Sequence, residues 1–381
     1  MFTIFIDGVS KRDAFAGIFV CLETKTDGII VKSQVCLDFT FYLHYICSQK
    51  NNDLNIEFMY PLKFKPILKQ TIWGGDKIAG FKHLNTSLTD VGESWEISGV
   101  EGNESIVSEG ELAGFTLNQL IDKFKEKLVG KGIYQKFGGT FPLLIKFIDA
   151  KQSLSVQVHP SDELAMKRHH SLGKNEMWYV ISAEDGASLI SGFKHRISPD
   201  EYKEQVHNGT FVDSLRFFPV NAGDVFNIPS GRVHGIGAGV FIAEIQETSD
   251  ITYRIYDYQR KDKNGNYREL HTDLAIDAIN FDDDSGEGKV AYSKEQNVPV
   301  EVLSCPFFTT SVYNMTEPIL CDYSELDSFV IYICVEGSCD VVDDAEHTVS
   351  LCSGESVLFP AITKNVRIIP RDSVKIIETF V

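Results

Sequence analysis

Two stretches of this chain repeat one pattern, and this repeat restricts the fold more than any other feature. Residues 223–230 read GDVFNIPS and residues 354–361 read GESVLFPA, with an apolar run upstream of each, at residues 178–181 and 331–334. Short apolar runs separated by turn residues are typical of all-β sandwiches and jelly rolls. The repeat therefore predicts a mainly β protein with two jelly-roll β-barrels and a few short helices.

The first copy of the repeat contains side chains that can bind a metal ion. Apolar and polar residues alternate over residues 154–159, so Gln157 and His159 project from one face of a strand. Glu176 begins a second apolar run, and His234 follows a third. Two imidazoles, a carboxylate and an amide oxygen suit a divalent ion such as zinc, although manganese, iron or cobalt accept the same ligands. The second copy lacks the matching histidine and glutamate, so we expect a metal site in the first barrel only.

Several motifs, in a fixed order along the chain, carry a family resemblance. They are GESWE at residues 92–96, SVQVHP at 155–160, KNE at 174–176, IPSGRVH at 228–234 and SDITYRIYD at 249–257. The chain resembles the type I mannose-6-phosphate isomerases of the cupin superfamily, in particular their short bacterial form. The resemblance covers about residues 59–381 and implies two cupin-like barrels, one with the metal site and one without.

The resemblance also implies an activity and a set of site residues. The activity is the interconversion of D-mannose 6-phosphate and D-fructose 6-phosphate through an enediol, with one Zn²⁺ per chain. The implied zinc ligands are Gln157, His159, Glu176 and His234. The residues assigned to catalysis are Arg254, Lys174 and Glu244, and those assigned to substrate binding are Lys146, Lys174 and Arg254.

Each of these residues has a plainer interpretation. Arg254 can instead pair with Asp250 or Asp257, as surface charges often do. Lys146 can extend its ammonium to the rim of the barrel, and Glu244 can be a buried acid satisfied by the backbone.

The function also has alternatives. One is a related cupin isomerase that acts on another sugar or sugar phosphate, and the other is a non-catalytic sugar-binding cupin. Trp73 and Trp95 either line a sugar pocket or pack in the core. Longer family members carry a histidine directly before the lysine of the Lys-x-Glu motif, whereas this chain has Gly173. That difference speaks against a mechanism that depends on an imidazole at this position.

The family-like sequence begins abruptly at Met59, which suggests that Met59 is the natural start and that residues 1–58 are an extension. We expect a catalytic cupin domain over residues 59–280 and an acidic, exposed linker over residues 281–290. A C-terminal cupin-like domain without metal ligands then follows over residues 291–381.

Net charge and cysteine content limit the binding partners and the cellular compartment that we expect for this protein. The net charge of -18 argues against binding to nucleic acid or to an anionic membrane, since both need a basic surface. An anionic sugar phosphate therefore needs a local cluster of cations. Eight cysteines without a CxxC pair indicate neither a zinc ribbon nor a disulfide framework, and favour the cytoplasm. The sequence leaves open whether the chain forms a homo-oligomer.

Helix signals are few. Thr116 and Gln119 form a capping-box pattern at the start of an apolar stripe that continues to Gly130, which predicts one structural helix. Ser161 is expected to cap a second helix, and Ser198, followed by proline, a third.

Overall fold

The computed structural model describes residues 59–284, 286 and 288–381, and the backbone of two strands nearer the N-terminus. Those strands, β1 (Ile18–Thr26) and β2 (Ile29–Leu37), pair antiparallel. The chain divides into two compact units, residues 1–59 and residues 60–381. The prediction that Met59 is the natural start concerns residues 1–58, which lie outside the described residues except for the backbone of β1 and β2.

The larger unit consists mainly of strands with short helices between them. Its strands up to residue 290 are β3 (Phe64–Lys65), β4 (Ile67–Gly75), β5 (Val91–Ile97), β6 (Ile106–Val107), β7 (Leu143–Ala150), β8 (Val156–Val158), β9 (Glu176–Ala183), β10 (Ser188–Phe193), β11 (Leu215–Pro219), β12 (Val225–Ile228), β13 (His234–Ile236), β14 (Val240–Glu247), β15 (Tyr253–Tyr256) and β16 (Lys289–Val290). Of these, β3 and β6 pair only with each other. The C-terminal strands are β17 (Pro299–Ser304), β18 (Thr309–Met315), β19 (Ile319–Asp322), β20 (Val330–Asp343), β21 (Thr348–Cys352), β22 (Ser356–Phe359) and β23 (Asn365–Phe380).

The helices lie in the first half of the unit and in its middle. They are α1 (Lys77–Phe81), α2 (Leu117–Phe124), α3 (Glu126–Val129), α4 (Lys131–Phe137), α5 (Asp162–His169), α6 (Pro199–Asn208) and α7 (Thr272–Ile276), with one 3₁₀ turn at Phe211–Ser214. The predicted mainly β class is therefore confirmed.

Two sheets form the first barrel. One has the strand order β11-β10-β13-β8-β15, and the other has the order β16-β12-β9-β14-β7-β4-β5. Trp178 and Ile242 of the seven-stranded sheet share a buried apolar cluster with Leu189 and Ile236 of the five-stranded sheet. This cluster is the core between the sheets, and it fills one part of the barrel interior.

The outer face of the five-stranded sheet is covered by helices. Val156 and Val158 of β8 pack there in a second apolar cluster with Tyr202 of α6 and Ala275 of α7. Because side chains of a strand alternate between its two faces, Gln157 is directed to the opposite side, into the barrel. Helix packing outside the sheet thus determines which polar residues face inside.

The C-terminal barrel repeats the ladder of the first one. Its main strand order is β17-β18-β23-β20-β21, with β22 added on β20 and β19 on β23. Phe226 lies opposite Trp178 in the first barrel, and the equivalent Val357 lies opposite Tyr332 in the second. The equivalence expected from sequence, which matched Trp178 to Ile331, is therefore wrong by one residue. In a run of consecutive apolar residues no alternation is visible, so the sequence alone does not define the register.

The helix predictions are confirmed at their starts but not over their full length. Thr116 and Gln119 make both hydrogen bonds of the capping box, and Ser198 caps α6 with proline behind it. However, α2 ends at Phe124, because Lys125 adopts a φ of 51° and the short helix α3 begins after it. The predicted single helix is therefore wrong: a change of backbone direction at Lys125 interrupts one apolar stripe.

Residues 281–290 were expected to form an exposed linker, yet part of this segment packs on the first barrel. Asp283 accepts hydrogen bonds of 2.6 and 2.8 Å from Nε and Nη2 of Arg232, and both side chains are only 10% exposed. β16 pairs with β12 of the seven-stranded sheet. The domain boundaries remain a prediction. No helix in the described part of the chain is both long and apolar enough to cross a membrane.

We expect the core between the two sheets of the first barrel to dominate its stability. Phe226, fully buried in that core, should cost about 3–5 kcal/mol of unfolding free energy when replaced by alanine. Phe217, which is 44% exposed, is the matched control and should cost less than about 1 kcal/mol. Denaturant titration followed by tryptophan fluorescence measures both, and equal costs would contradict this assignment of the core.

Candidate metal centre and active site

The residues of the predicted site lie on facing strands inside the first barrel. In the five-stranded sheet, Gln157 of β8 lies between His234 of β13 and Arg254 of β15. In the seven-stranded sheet, Glu244 of β14 lies opposite Lys146 of β7. The strand alternation described above directs these side chains to the space between the sheets. The ladder therefore brings together residues that are far apart in sequence.

Three side chains that can bind a metal ion meet at this place. The ligand atoms of His159, Glu176 and His234 all lie within 4.8 Å of one another, and the three residues are buried. The Nε2 atoms of the two histidines are 3.1 Å apart. Nε2 of His159 lies 3.5 Å from Oε2 of Glu176, and Nε2 of His234 lies 3.4 Å from Oε1 of Glu176. Gln157, the fourth predicted ligand, is the direct ladder neighbour of His234.

Hydrogen bonds determine which nitrogens are free to bind a cation. Nδ1 of His159 lies 2.9 Å from the carbonyl oxygen of Ile251, and Nδ1 of His234 lies 2.8 Å from that of Arg232. Because a carbonyl only accepts, each Nδ1 donates its proton and each Nε2 presents a lone pair. Burial, followed by the charge of Lys174, lowers the pKa of His159 to about 3, so its imidazole is neutral at physiological pH.

This arrangement of donors fits a divalent cation. Two lone pairs that face each other at 3.1 Å repel unless positive charge lies between them. Oε1 of Glu176 is buried without a hydrogen-bond partner among the described residues, whereas Oε2 has the ammonium of Lys174 3.1 Å away. Buried carboxylate oxygens normally have such partners or bind a metal, so the unpartnered Oε1 supports a metal site. Neutral imidazole, carboxylate and amide are ligands that zinc accepts.

A lysine stabilises the carboxylate of the metal cluster. Lys174 places its Nζ 3.1 Å from Oε2 of Glu176, with both side chains almost fully buried. Burial raises the pKa of Glu176, but Lys174 and the imidazoles outweigh this and hold that pKa well below its ordinary value. Burial alone would lower the pKa of Lys174, yet Glu176 and Glu244 raise it overall. The pair is therefore charged on both sides.

Asn175, which lies between Lys174 and Glu176 in the sequence, connects the segments that carry the metal cluster. Its backbone N–H and its Nδ2 donate to Oε2 of Glu247 at 2.9 and 2.6 Å, and its Oδ1 accepts from the N–H of Ser230 at 2.9 Å. Ser230 lies in the turn that leads to His234. These bonds hold the Glu176 strand and the His234 turn in a common position.

A cavity of about 170 Å³ lies next to the cluster. It is lined by four cations, by three carboxylates, by aromatic and apolar residues and by small polar ones, and these residues are Lys146, Lys174, Arg254, Arg268, Glu93, Glu244, Asp250, Trp73, Trp95, Ile148, Leu154, Ile236, Ser155, Gln157 and Thr252. Trp73 and Trp95 are thus both buried and part of the cavity wall. A larger cleft of about 620 Å³ nearby shares Asp250 with the cavity, but none of the predicted site residues lines it.

The predicted pair Lys146 and Glu244 forms one wall of the cavity. Nζ of Lys146 lies 3.2 Å from Oε2 of Glu244, 3.8 Å from Oε2 of Glu93 and 5.0 Å from the centre of the Trp95 ring. Oε1 of Glu244 accepts a 2.9 Å hydrogen bond from Nε1 of Trp178. Burial and the neighbouring Glu176 raise the pKa of Glu244. The plainer interpretations do not match this arrangement, because Lys146 is buried and side chains, not backbone groups, hold Glu244.

Arg254 does not form the ion pairs that the sequence suggested as alternatives. Its Nη1 donates to the carbonyl oxygen of Glu269 at 2.8 Å, and its buried Nε has no hydrogen-bond partner among the described residues. Asp257, one of the suggested partners, instead binds Arg260 and Arg268. Sequence reasoning overlooked Arg268. A single sequence carries no signal for it, because its position depends on how the turn after β15 closes.

Gly173 has no space for a side chain. A Cβ added there would lie 2.5 Å from the backbone nitrogen of Asp162, and the Gly173 N–H donates to Oδ1 of Asp162 at 2.7 Å. The start of α5 therefore occupies the volume in which an imidazole would lie. This agrees with the expectation that no mechanism here depends on a histidine before Lys174.

Comparison with known proteins gives consistent results. The family model for the catalytic domain of type I phosphomannose isomerases matches residues 61–218. The mannose-6-phosphate isomerase ManA of Bacillus subtilis is 34% identical over 302 residues, which cover 79% of this chain and 93% of that protein. The mannose-6-phosphate isomerase of Streptococcus mutans is 36% identical over 65% of this chain and 77% of its own length.

A solved structure resembles the fold as well. The crystal structure of the mannose 6-phosphate isomerase from Bacillus subtilis superposes with a TM-score of 0.75 and 28% identity. The match covers 85% of this chain and all of the Bacillus chain. The predicted cupin-type architecture is therefore confirmed.

Glu247 should make stability depend on pH. Burial, opposed by the hydrogen bonds from Asn175, raises its pKa from 4.5 to about 7. The folded protein therefore binds a proton that the unfolded chain has lost, so the free energy of unfolding should fall by about 1–3 kcal/mol as pH rises from about 4.5 to about 7. Glu247→Gln keeps an acceptor for Asn175 and should flatten this part of the profile in denaturant titrations. An unchanged slope would contradict the assignment to Glu247.

Proposed function

The chain belongs to the type I phosphomannose isomerases, and from this we propose that it interconverts D-mannose 6-phosphate and D-fructose 6-phosphate. The observation that carries the proposal is the buried cluster of His159, Glu176 and His234 beside a cavity lined by four cations and three carboxylates. Cations bind the anionic substrate, while carboxylates next to ammonium groups can accept and return a proton. A binding protein without catalytic activity would not need this combination.

We further propose that the ion is zinc, one per chain, held by Gln157, His159, Glu176 and His234. The donor set supports this choice, because neutral nitrogen and carboxylate oxygen are common zinc ligands. When bound, such an ion polarises a sugar oxygen and stabilises negative charge that develops on it.

The protein residues then have distinct tasks in the proton transfer between C1 and C2 of the sugar. Glu244 has a raised pKa, lines the cavity and has a buried Oε2 beside the Lys146 ammonium, so it is our candidate for the group that accepts the proton. Lys146, 3.2 Å from that oxygen, stabilises the carboxylate form before the transfer. Lys174 holds Glu176 and reaches the cavity, where its ammonium can stabilise the enediol oxygens. Arg254 binds the substrate anion.

The compartment, the domain boundaries and the alternative substrate complete the proposal. Five cysteines of the described region are free, which supports a reducing compartment such as the cytoplasm. The boundaries at residues 280 and 291 remain predictions, and the sequence leaves the oligomeric state open. An isomerase for another sugar is the alternative activity, since the cavity does not by itself specify the configuration at C2.

A coupled assay for formation of fructose 6-phosphate tests the activity directly. Purified protein should convert mannose 6-phosphate, lose this activity after chelation and regain it when zinc is added, because the buried donors need a cation. A protein that demonstrably contains its metal but does not convert mannose 6-phosphate would contradict the proposed substrate. Arg254→Ala should then be tested, with an expected loss of at least about 100-fold in kcat/KM.

Metal content tests the ligands independently of activity. His159→Ala should lower the bound metal per chain from about one to well below half, measured by mass spectrometry of the folded protein, because one of four donors is lost. Gln157→Ala is a milder second variant. The control is His347→Ala, since His347 is 40% exposed and pairs with Asp343 far from the cluster in sequence. Equal metal content in all three variants would rule out these ligands.

A further inference from the structure

The short segment from Arg268 to His271 surrounds Arg254 on several sides. The backbone N–H of Arg254 donates to Nδ1 of His271 at 3.1 Å, and the N–H of His271 donates to the Arg254 carbonyl oxygen at 2.7 Å. The carbonyl oxygen of Glu269 accepts from Nη1 of Arg254 at 2.8 Å. Both the backbone and the guanidinium of Arg254 are therefore positioned by this one segment.

A polar turn brings Arg268 to the same place. After β15 the chain reverses through residues 258–267, closed by a bridge between Lys261 and Tyr267. Arg268 then meets Asp257, whose side chain is only 6% exposed. Nε of Arg268 donates to Oδ2 of Asp257 at 2.7 Å, and its Nη2 donates to Oδ1. This fork fixes the plane of the guanidinium.

The fixed guanidinium lies in the wall of the site cavity. Arg268 and Arg254 both line the 170 Å³ cavity, together with Asp250 and the two lysines. Asp257 binds Nε and Nη2 of Arg268, which leaves Nη1 without an acceptor among the described residues. Nε of Arg254 is also without a partner in that part of the chain. Two neighbouring guanidiniums with unused donors are suited to a doubly charged, multi-oxygen anion.

The charges support the same conclusion. Burial, and next the charge of Arg268, lower the pKa of Arg254, so the two cations repel each other. Asp257 supplies one negative charge, which it shares between Arg268 and Arg260. A phosphate dianion between Arg254 and Arg268 would remove this repulsion, whereas a neutral sugar hydroxyl would not.

We propose that Arg268, held by Asp257, is the second arginine of a phosphate clamp with Arg254, and that it determines selectivity for phosphorylated over free sugars. This inference rests on the proposed function for the identity of the sugar. It assigns to Arg268 a contact with the phosphate rather than with the reacting carbons. Its loss should therefore affect binding much more than the turnover rate.

The chain offers a matched control. Arg260 binds the same carboxylate oxygen, Oδ1 of Asp257, but its Nη1 donates to the carbonyl oxygen of Ser153 at 2.6 Å. Arg260 and Arg268 both line a second cavity, but only Arg268 is also part of the wall of the site cavity. Arg268→Gln and Arg260→Gln thus each remove one ion pair with Asp257, but only the first removes a cation from the site.

The test compares the two variants with the unsubstituted protein. Arg268→Gln should raise KM for mannose 6-phosphate and the inhibition constant of inorganic phosphate about 10- to 100-fold, with kcat changed less than about 3-fold. Arg260→Gln should change each constant less than about 3-fold. Arg268→Lys keeps the charge without the fork and should give an intermediate effect. Thermal unfolding of each variant shows whether it is folded.

Three outcomes of these measurements would contradict the phosphate clamp or the function on which it rests. Equal effects of Arg268→Gln and Arg260→Gln on KM would mean that Arg268 acts only through Asp257, and this would overturn the clamp. A fall in kcat at unchanged KM would do the same. If the unsubstituted protein does not convert mannose 6-phosphate, the proposed function fails, but calorimetric binding of inorganic phosphate to both variants still decides whether Arg268 binds phosphate.

Discussion

The repulsion between two buried imidazoles is the constraint on which the rest of the site depends. His159 and His234 each donate Nδ1–H to a backbone carbonyl, so their Nε2 lone pairs face each other at 3.1 Å beside an ionised Glu176. Such a group of acceptors is stable in a protein interior only with a cation among them. Lys174 supplies part of this charge at the edge of the cluster. The packing of the barrel therefore holds these charged and polar groups in fixed positions around a place that suits a cation.

The positions of the ligands follow from packing outside the barrel. Apolar side chains of β8 pack under the helices, and this orients Gln157 to the interior. Hydrogen bonds to backbone carbonyl oxygens fix the two imidazole rings. Asn175 donates to Glu247 and accepts from the Ser230 N–H, which joins two of the ligand-bearing segments. These bonds hold the groups of the site in place before substrate arrives, so their orientation requires little reorganisation during the reaction.

Local patterns in the sequence were sufficient for part of this. The alternation around Gln157 and His159 predicted their common face, and the capping signals at Thr116 and Ser198 predicted where helices begin. Contacts between residues far apart in the chain could not be predicted from these local patterns. The contribution of Arg268 depends on how the turn after β15 closes, and the end of α2 depends on the backbone of Lys125. Neither the closure of this turn nor the backbone of Lys125 produces a hydrophobic periodicity or a composition bias in a single sequence.

The register of the second barrel shows how one ladder position can serve two purposes. Glu244 lies opposite Trp178, and Glu378 lies opposite Tyr332, so the two carboxylates occupy equivalent places. Beside Glu244 the ladder has Lys146 and an open cavity, whereas Glu378 has Ser311 and accepts hydrogen bonds from the hydroxyls of Tyr313 and Tyr323. Aromatic rings fill the space, and burial raises the pKa of Glu378. Tyrosine hydroxyls satisfy that acid without a cation, so the same position stabilises a closed core in one barrel and borders a reactive cavity in the other.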